Sequence, residues 1–200
     1  MTPRTTPEFE EKFFELDKKL ESKRQENRDL ANIASVITSL LDIESVLAAT
    51  MEIGIRRAGG EVGAVLQVID NKARVKVAWG VDSVLLESLK YRNNLNIIDY
   101  CLQSRRTIYD NDCRDKFPGR VTIHNFVYVP ITARDKIFGA MVIFNKRSGS
   151  GFDEKDIAGL ELICKFASVA IENSILLKES LEKQKIEQEL DLGRQVQANF

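Results

Sequence analysis

Side chains able to act as nucleophiles or soft metal ligands are sparse in this sequence. Three cysteines, Cys101, Cys113 and Cys164, make an odd number with no close pair, which reads as reduced thiols. His124 is the one histidine, so a multi-histidine metal centre is excluded. A lone histidine can ligate haem iron, but at the start of a strand it is more often a hydrogen-bonded structural residue. Cys113 stands beside Arg114 and Lys116. That positive neighbourhood would lower its pKa and suit it to sensing oxidants, whereas the plainer reading is an exposed, unreactive thiol. Arg105-Arg106 offers charge for a phosphate, with a solvated pair as the alternative. No phosphate-cradling glycine loop, nucleophile elbow or metal-ligand spacing occurs. The chain is therefore expected to be inactive as an enzyme by itself, with no metal of its own.

Composition narrows the partners. The 200 residues suit one domain with additional helices, and a 44% apolar fraction provides one good core. Basic and acidic residues number 29 and 30, so nothing global favours nucleic acid or an anionic membrane. No stretch approaches the length of a membrane span, and MTPRTTPEFEEK lacks the apolar run of a secretory signal. A cytoplasmic location is expected.

The elements that must position these residues begin with a helix. Residues 1–7 read as a disordered leader and 8–42 as an N-terminal signalling helix. Thr6 is its hydroxyl cap, Pro7 its first residue, and Glu8, Glu10 and Glu11 sit at its positive end. Apolar positions then step by four and three through Phe9, Phe13, Leu16, Leu20, Leu30, Ala34, Ile37 and Leu41. Lys23 and Asn27 interrupt the seam, and an Asn at such a position fixes register in two-stranded coiled coils. A seam with charged flanks implies a partner helix, hence a homodimer; a long helix packed on its own domain is the alternative.

Asp42-Ile43 breaks that helix, and a second runs from Glu44 to Arg57 and ends at Gly59-Gly60. Strands follow at Val62 to Ile69 and Ala73 to Trp79, joined by Asp70-Asn71-Lys72. Short helices are expected over Ser83 to Leu89 and Ile97 to Gln103, and a short strand over Thr107 to Tyr109. Asp110 to Arg120 is turn-rich and reads as a mobile loop. A hairpin pairs Asn125 to Thr132 with Ile137 to Asn145. Asp153 then opens a long helix through Ala167, Ala170, Ser174, Leu177 and Leu181, where the small residues would let a second helix approach closely. The five-residue step from Leu181 to Ile186 shifts the seam's frame, which predicts local unwinding or a change of phase. A pocket between the sheet and residues 91–124 would be lined by Tyr100, Tyr109, Asp110, His124, Asn125 and Tyr128.

Several segments of residues 43–177 resemble a GAF domain: Val129-Pro130-Ile131, Gly139 within IFGAMVIFN, Asn145-Lys146, and Phe152 with Asp153 and Asp156. The resemblance implies an α+β fold: a GAF-like antiparallel sheet covered by helices, here with long N- and C-terminal coiled-coil-type helices. Cyclic-nucleotide-binding members carry Asn-Lys, a spacer, Phe, three residues, then Asp-Glu. Asn145, Lys146, Phe152 and Asp156 fit that motif, but Ile157 replaces the Glu. Lys146 is expected to pair with Asp156 and Asp153 to cap the helix, which holds structure with or without a nucleotide. No cysteine is followed by histidine as bilin attachment usually requires.

The end of the chain carries a second resemblance. Residues 187–200 (EQELDLGRQVQANF) are similar to the lead-in helix of SpoIIE-like PPM-type Ser/Thr phosphatases, at Glu189, Leu190, Arg194, Val196 and Gln197. Gly193 and Phe200 stand where Ala and Leu are usual. This implies a linker helix over 178–200 leading to a phosphatase domain that holds Mn or Mg and acts on a phosphoprotein. The function expected is then a sensor and dimerisation module for that phosphatase, with dimer seam residues Phe13, Leu16, Leu20, Asn27, Leu30, Leu177 and Leu181. A small-ligand-binding module, with cyclic nucleotide as one ligand, and a purely structural dimeriser are the alternatives.

Overall fold

The computed structural model describes residues 7–70, 72–82, 86, 97–114, 117 and 122–198. The chain divides into two compact units, residues 1–36 and 37–200. The first is built on helix α1 (Pro7–Thr38), whose start agrees with the Pro7 signal; Thr6 lies outside the described residues. The seam residues Phe13, Leu16 and Leu20 are 64%, 66% and 48% exposed, and Asn27 is exposed. Lys23–Glu26 and Gln25–Asp29 pair along the outside of α1, each at 2.9 Å. The expected seam runs three residues past the helix, because α1 stops at Thr38 and Leu41 lies in the connection. The cause is Asp42. It adopts extended backbone (φ −112°, ψ 144°) so that its side chain can accept the Ser45 N–H at 2.8 Å and cap the next helix.

That helix, α2 (Ile43–Ala58), ends at Gly59 in the left-handed region, φ 64°. Strands β1 (Gly60–Ile69) and β2 (Lys72–Trp79) follow, then α3 (Ile97–Ser104) and β3 (Ile108–Asp110). Next come β4 (Phe126–Ala133), β5 (Lys136–Lys146) and the 45-residue α4 (Glu154–Ala198). The sheet order is β2-β1-β5-β4-β3, with every neighbouring pair antiparallel. β1 and β5 carry near-continuous buried runs because each lies inside the sheet, covered on both faces. β2 is an edge strand of alternating exposure, and Trp79 near its end is 45% exposed. Of the expected helix over 83–89 only Leu86 lies among the described residues; it is buried, and its N–H donates to Asp82 O.

One face of the sheet is covered by α2 and α4. Gly54 lets α2 approach the strand beneath it: a Cβ there would sit 2.5 Å from Met141 Sδ. Ala167, Ala170 and Ser174 are buried in the chain's own core, where α4 packs on α2 and β4. The second helix that approaches α4 near these small residues is thus α2 of the same chain. α4 runs without interruption through residues 181–186, so the change of seam frame leaves no break in the helix. The other face carries a cluster that includes Leu66, Phe126, Tyr128 and Phe144, with Ile98, Cys101, Cys113, Phe117 and Ile123 above it. The expectation of a mobile loop over 110–120 does not hold for its described residues, since Cys113 and Phe117 are buried and Asn111 is bonded across to Phe152.

Candidate functional site

The six expected pocket residues do not converge on one space. Tyr128 is buried among rings, 5.7 Å from Phe126 and 6.3 Å from Phe144, and burial pushes its phenol well above the usual value. Asn125 is also buried, its Oδ1 accepting the Lys146 N–H at 2.8 Å. His124 is exposed, and its backbone N–H donates to Asn145 Oδ1. Asp110 Oδ1 accepts the Asp112 N–H. Tyr100 and Tyr109 are each about half exposed. Aromatic and aliphatic side chains, Tyr128 among them, pack between the sheet and the described residues of the segment above it.

Asn145, Lys146, Phe152 and Asp156 form a lock. Asn145 ends β5 in the left-handed region, φ 55°, a conformation Asn tolerates. Its Oδ1 accepts the His124 N–H at 2.8 Å and its Nδ2 donates to Thr122 O at 2.9 Å. Lys146 Nζ donates to Asp156 Oδ2, with both side chains about six-sevenths buried. Phe152 is buried, and Asn111 brackets its backbone, accepting its N–H at 2.8 Å and donating to its carbonyl at 3.0 Å. Asp153 and Asp156 cap α4 reciprocally: Asp153 Oδ1 accepts the Asp156 N–H and Asp156 Oδ2 accepts the Asp153 N–H. The Asp156 N–H, with Lys146 near, holds the Asp153 carboxyl below its ordinary range.

The thiols are structural. Cys113 is fully buried, with its Sγ donating to Ile123 O at 3.7 Å, and this corrects both readings of an exposed thiol. Sequence neighbours suggested an electropositive loop, but the Cys113 side chain packs as a small apolar group into the cluster above the sheet. Burial pushes the Cys101 thiol up to about 12 and raises that of Cys164 as well. Among the described residues, no group of three or more His, Cys, Asp or Glu side chains is placed to hold a metal ion.

A cleft opens beside α3, between the sheet and the 91–124 segment as expected, but none of the six expected residues is among those that line it. Its volume is about 860 Å³. Leu66, Ile98 and Leu102 supply apolar surface, and Lys72, Arg74, Arg105 and Lys136 line it together with Asp99. Arg105 follows α3 with φ 53°, and its Nη1 donates to Asp135 O at 3.1 Å. Asp135 and Arg134 form the two-residue turn between β4 and β5, at φ 58° and 50°. The same turn reaches the long helix. The Arg134 N–H donates to Glu172 Oε1 at 2.7 Å, and its guanidinium forks onto Glu179 with two 2.7 Å bonds. The fork, and then the charge of Glu172, raises the Arg134 pKa, and the same fork lowers that of Glu179. The signal present in the sequence was the pair Arg105-Arg106; its meeting with β2 and with the β4–β5 turn is a product of the fold.

Comparison with known proteins agrees with this architecture. A family model described as GAF domain matches residues 41–172. No curated protein matches the sequence. Among solved structures, the GAF domain of an Acinetobacter phosphoenolpyruvate-protein phosphotransferase superposes with a TM-score of 0.62 at 16% identity, covering 76% of this chain and 95% of that one. A fragment of a methyl-accepting chemotaxis protein gives 0.57 at 21% identity, covering 73% and 98%. The GAF domain/HD domain protein of Geobacter sulfurreducens gives 0.55 at 14% identity, covering 70% and 98%. At these identities the likeness is one of fold.

Proposed function

The chain belongs to the GAF domain family, and from that premise we propose that it is a non-catalytic sensor module whose cleft beside α3 receives a small molecule. The observation that carries this reading is the double engagement of the β4–β5 turn. Arg105 and Lys136 line the cleft, Arg105 holds Asp135 O, and Arg134 holds Glu172 and Glu179 of α4. A ligand that moves Arg105 or Lys136 acts on the same turn that α4 grips. The relatives in fold come from a phosphotransferase and a chemotaxis protein, which suits a sensory role. Polar atoms of Asn145, Lys146 and Asp156 are engaged by the chain itself, so the nucleotide-like motif gives no support for a cyclic nucleotide in particular. A thermal-shift screen of small metabolites tests the reading. A binder at one hundred times its Kd adds about 2.7 kcal/mol of stability. Its binding should alter amide exchange along residues 172–182, and Arg134→Ala should abolish that change while binding persists. A panel that leaves stability unmoved would favour a structural module.

A finer reading concerns output. Residues 187–198 continue α4, and the positions matching the lead-in helix of PPM-type phosphatases lie on that continuous helix. Leu177 and Leu181 are 40% and 56% exposed, and with the bare seam of α1 they suit pairing with a second copy of the chain. On this reading the parent polypeptide is a dimeric Ser/Thr phosphatase. Carboxylates of its catalytic domain would hold Mn or Mg, and its substrate is a phosphoprotein. Light scattering tests the dimer: a monomer at high concentration would remove it. A phosphatase assay of the parent polypeptide tests the output.

A further inference from the structure

We infer that the cleft beside α3 selects an amphipathic anion: a carboxylate or phosphate group carried on an apolar or aromatic body. The inference rests on the sensor reading and deepens it. Four of the described residues lining the cleft are cationic, Lys72, Arg74, Arg105 and Lys136, and one, Asp99, is anionic. These four come from three separate places, the edge strand β2, the end of α3 and the start of β5, so their meeting is not a run of charge along one solvated helix. In a chain of net charge −1 such a concentration is local and not a reflection of composition. A cationic ligand would be repelled there.

The body of the ligand follows from the rest of the lining. Leu66 and Ile98 are buried, and Leu102 is half-buried between them and solvent. Apolar surface next to convergent cations favours a molecule with one apolar and one anionic end, and a volume of about 860 Å³ is that of a small-ligand site. Arg105 donates one N–H to Asp135 O, and a guanidinium carries five, so donors remain for an oxyanion. The cations are exposed, so the attraction is steering and selection in a wet site, and it weakens as salt shortens its range from about 30 Å at 0.01 M to about 8 Å at 0.15 M.

The test uses matched pairs on the 200-residue chain, followed by amide NMR titration: benzoate against benzyl alcohol, and AMP against adenosine. Shifts are expected at Ala73, Leu102 and Ile137, with at least one anion binding about tenfold more tightly than its neutral partner, equivalent to about 1.4 kcal/mol. The two pairs separate carboxylate from phosphate recognition. Raising salt should weaken the anion and leave the neutral compound unchanged. The double variant Lys72→Glu, Lys136→Glu should erase the preference, and the single variant Lys72→Gln should reduce it by about threefold. Neutral partners that bind the cleft as well as the anions would overturn this inference and leave the sensor reading standing. Absence of any shift at the cleft with all four compounds would overturn both.

Discussion

Replacing Asn145 separates two causes of stability at one position. Its side chain makes two hydrogen bonds, from the His124 N–H and to Thr122 O, and its backbone is left-handed at φ 55°. Removing both bonds should cost about 2 kcal/mol, at roughly 1 kcal/mol each. A left-handed backbone costs an alanine roughly 1 kcal/mol more, a cost glycine does not bear. Asn145→Ala should therefore destabilise by about 3 kcal/mol and Asn145→Gly by about 2 kcal/mol. Against a total of about 5–15 kcal/mol for a domain, either loss is large. Asn145→Asp keeps an acceptor for His124 but sets a second oxygen against Thr122 O, so it should be at least as harmful as the glycine variant at neutral pH. Urea denaturation followed by circular dichroism gives the three values, and unchanged m-values keep them comparable. Amide exchange at His124 should accelerate in the alanine and glycine variants. An alanine variant no worse than glycine would refute the backbone argument. A glycine variant within about 0.5 kcal/mol of the parent would refute the view that this side chain holds residues 122–124, since that is the scatter of ordinary surface substitutions.

The remaining expectations concern titration and thiol access. The Ser45 hydroxyl and backbone N–H hold the Asp42 carboxyl below its ordinary value of 3.8. A depressed folded pKa contributes stability that is complete above the unfolded value and fades as pH falls through the folded one. The loss on Asp42→Ala should therefore be greatest above about pH 5 and shrink below pH 4 in denaturation series run from pH 2 to 6; a loss that grows on acidification would sink the cap assignment. All three cysteines are buried, so a thiol reagent at pH 8 should label none of them faster than the domain opens, while labelling all three in urea. Rapid labelling of Cys113 in the native chain would restore the exposed-loop reading.

The strands were legible because their punctuation is local. Gly59 and Gly80 end elements in left-handed backbone, and the alternation through Lys72 to Val77 marks a strand without reference to the rest of the chain. Asp153, three residues before Asp156, announces the cap of α4 in the same way. The Lys146–Asp156 pair was also readable, since ten residues separate the partners and the Phe152 anchor lies between them. Two features were hidden. Cys113 sits among charged sequence neighbours, and what buries it is the sheet cluster built from β1, β4 and β5, of which no local window contains a trace. The cleft's place between the sheet and residues 91–124 was legible, but its lining was hidden for the same reason: Lys72, Arg105 and Lys136 are far apart in sequence, and only the order β2-β1-β5 with α3 above it brings them to one opening. The six residues proposed for a pocket were selected by type, and type alone does not distinguish an aromatic that greets a ligand from one, like Tyr128, that fills a core.

The β4–β5 turn concentrates the consequences of this arrangement. A two-residue hairpin turn with both φ positive is most easily made from Asn-Gly or Asp-Gly. Here it is Arg134-Asp135, and Arg is a poor choice on backbone grounds alone. Its side chain and N–H are what offset the strain, through Glu179 and Glu172, while the Asp135 carbonyl is held by Arg105. Glycine at position 134 would relieve the backbone and cut the side-chain link to α4. The fork is solvent-exposed, so it is weak and salt-sensitive. A rigid, buried joint would transmit nothing because one arrangement would always win. On the sensor reading, a ligand that recruits Arg105 or Lys136 would act on a strained turn held by a weak ion pair on one side and a single guanidinium bond on the other, and could shift it only by as much as its affinities for two arrangements differ.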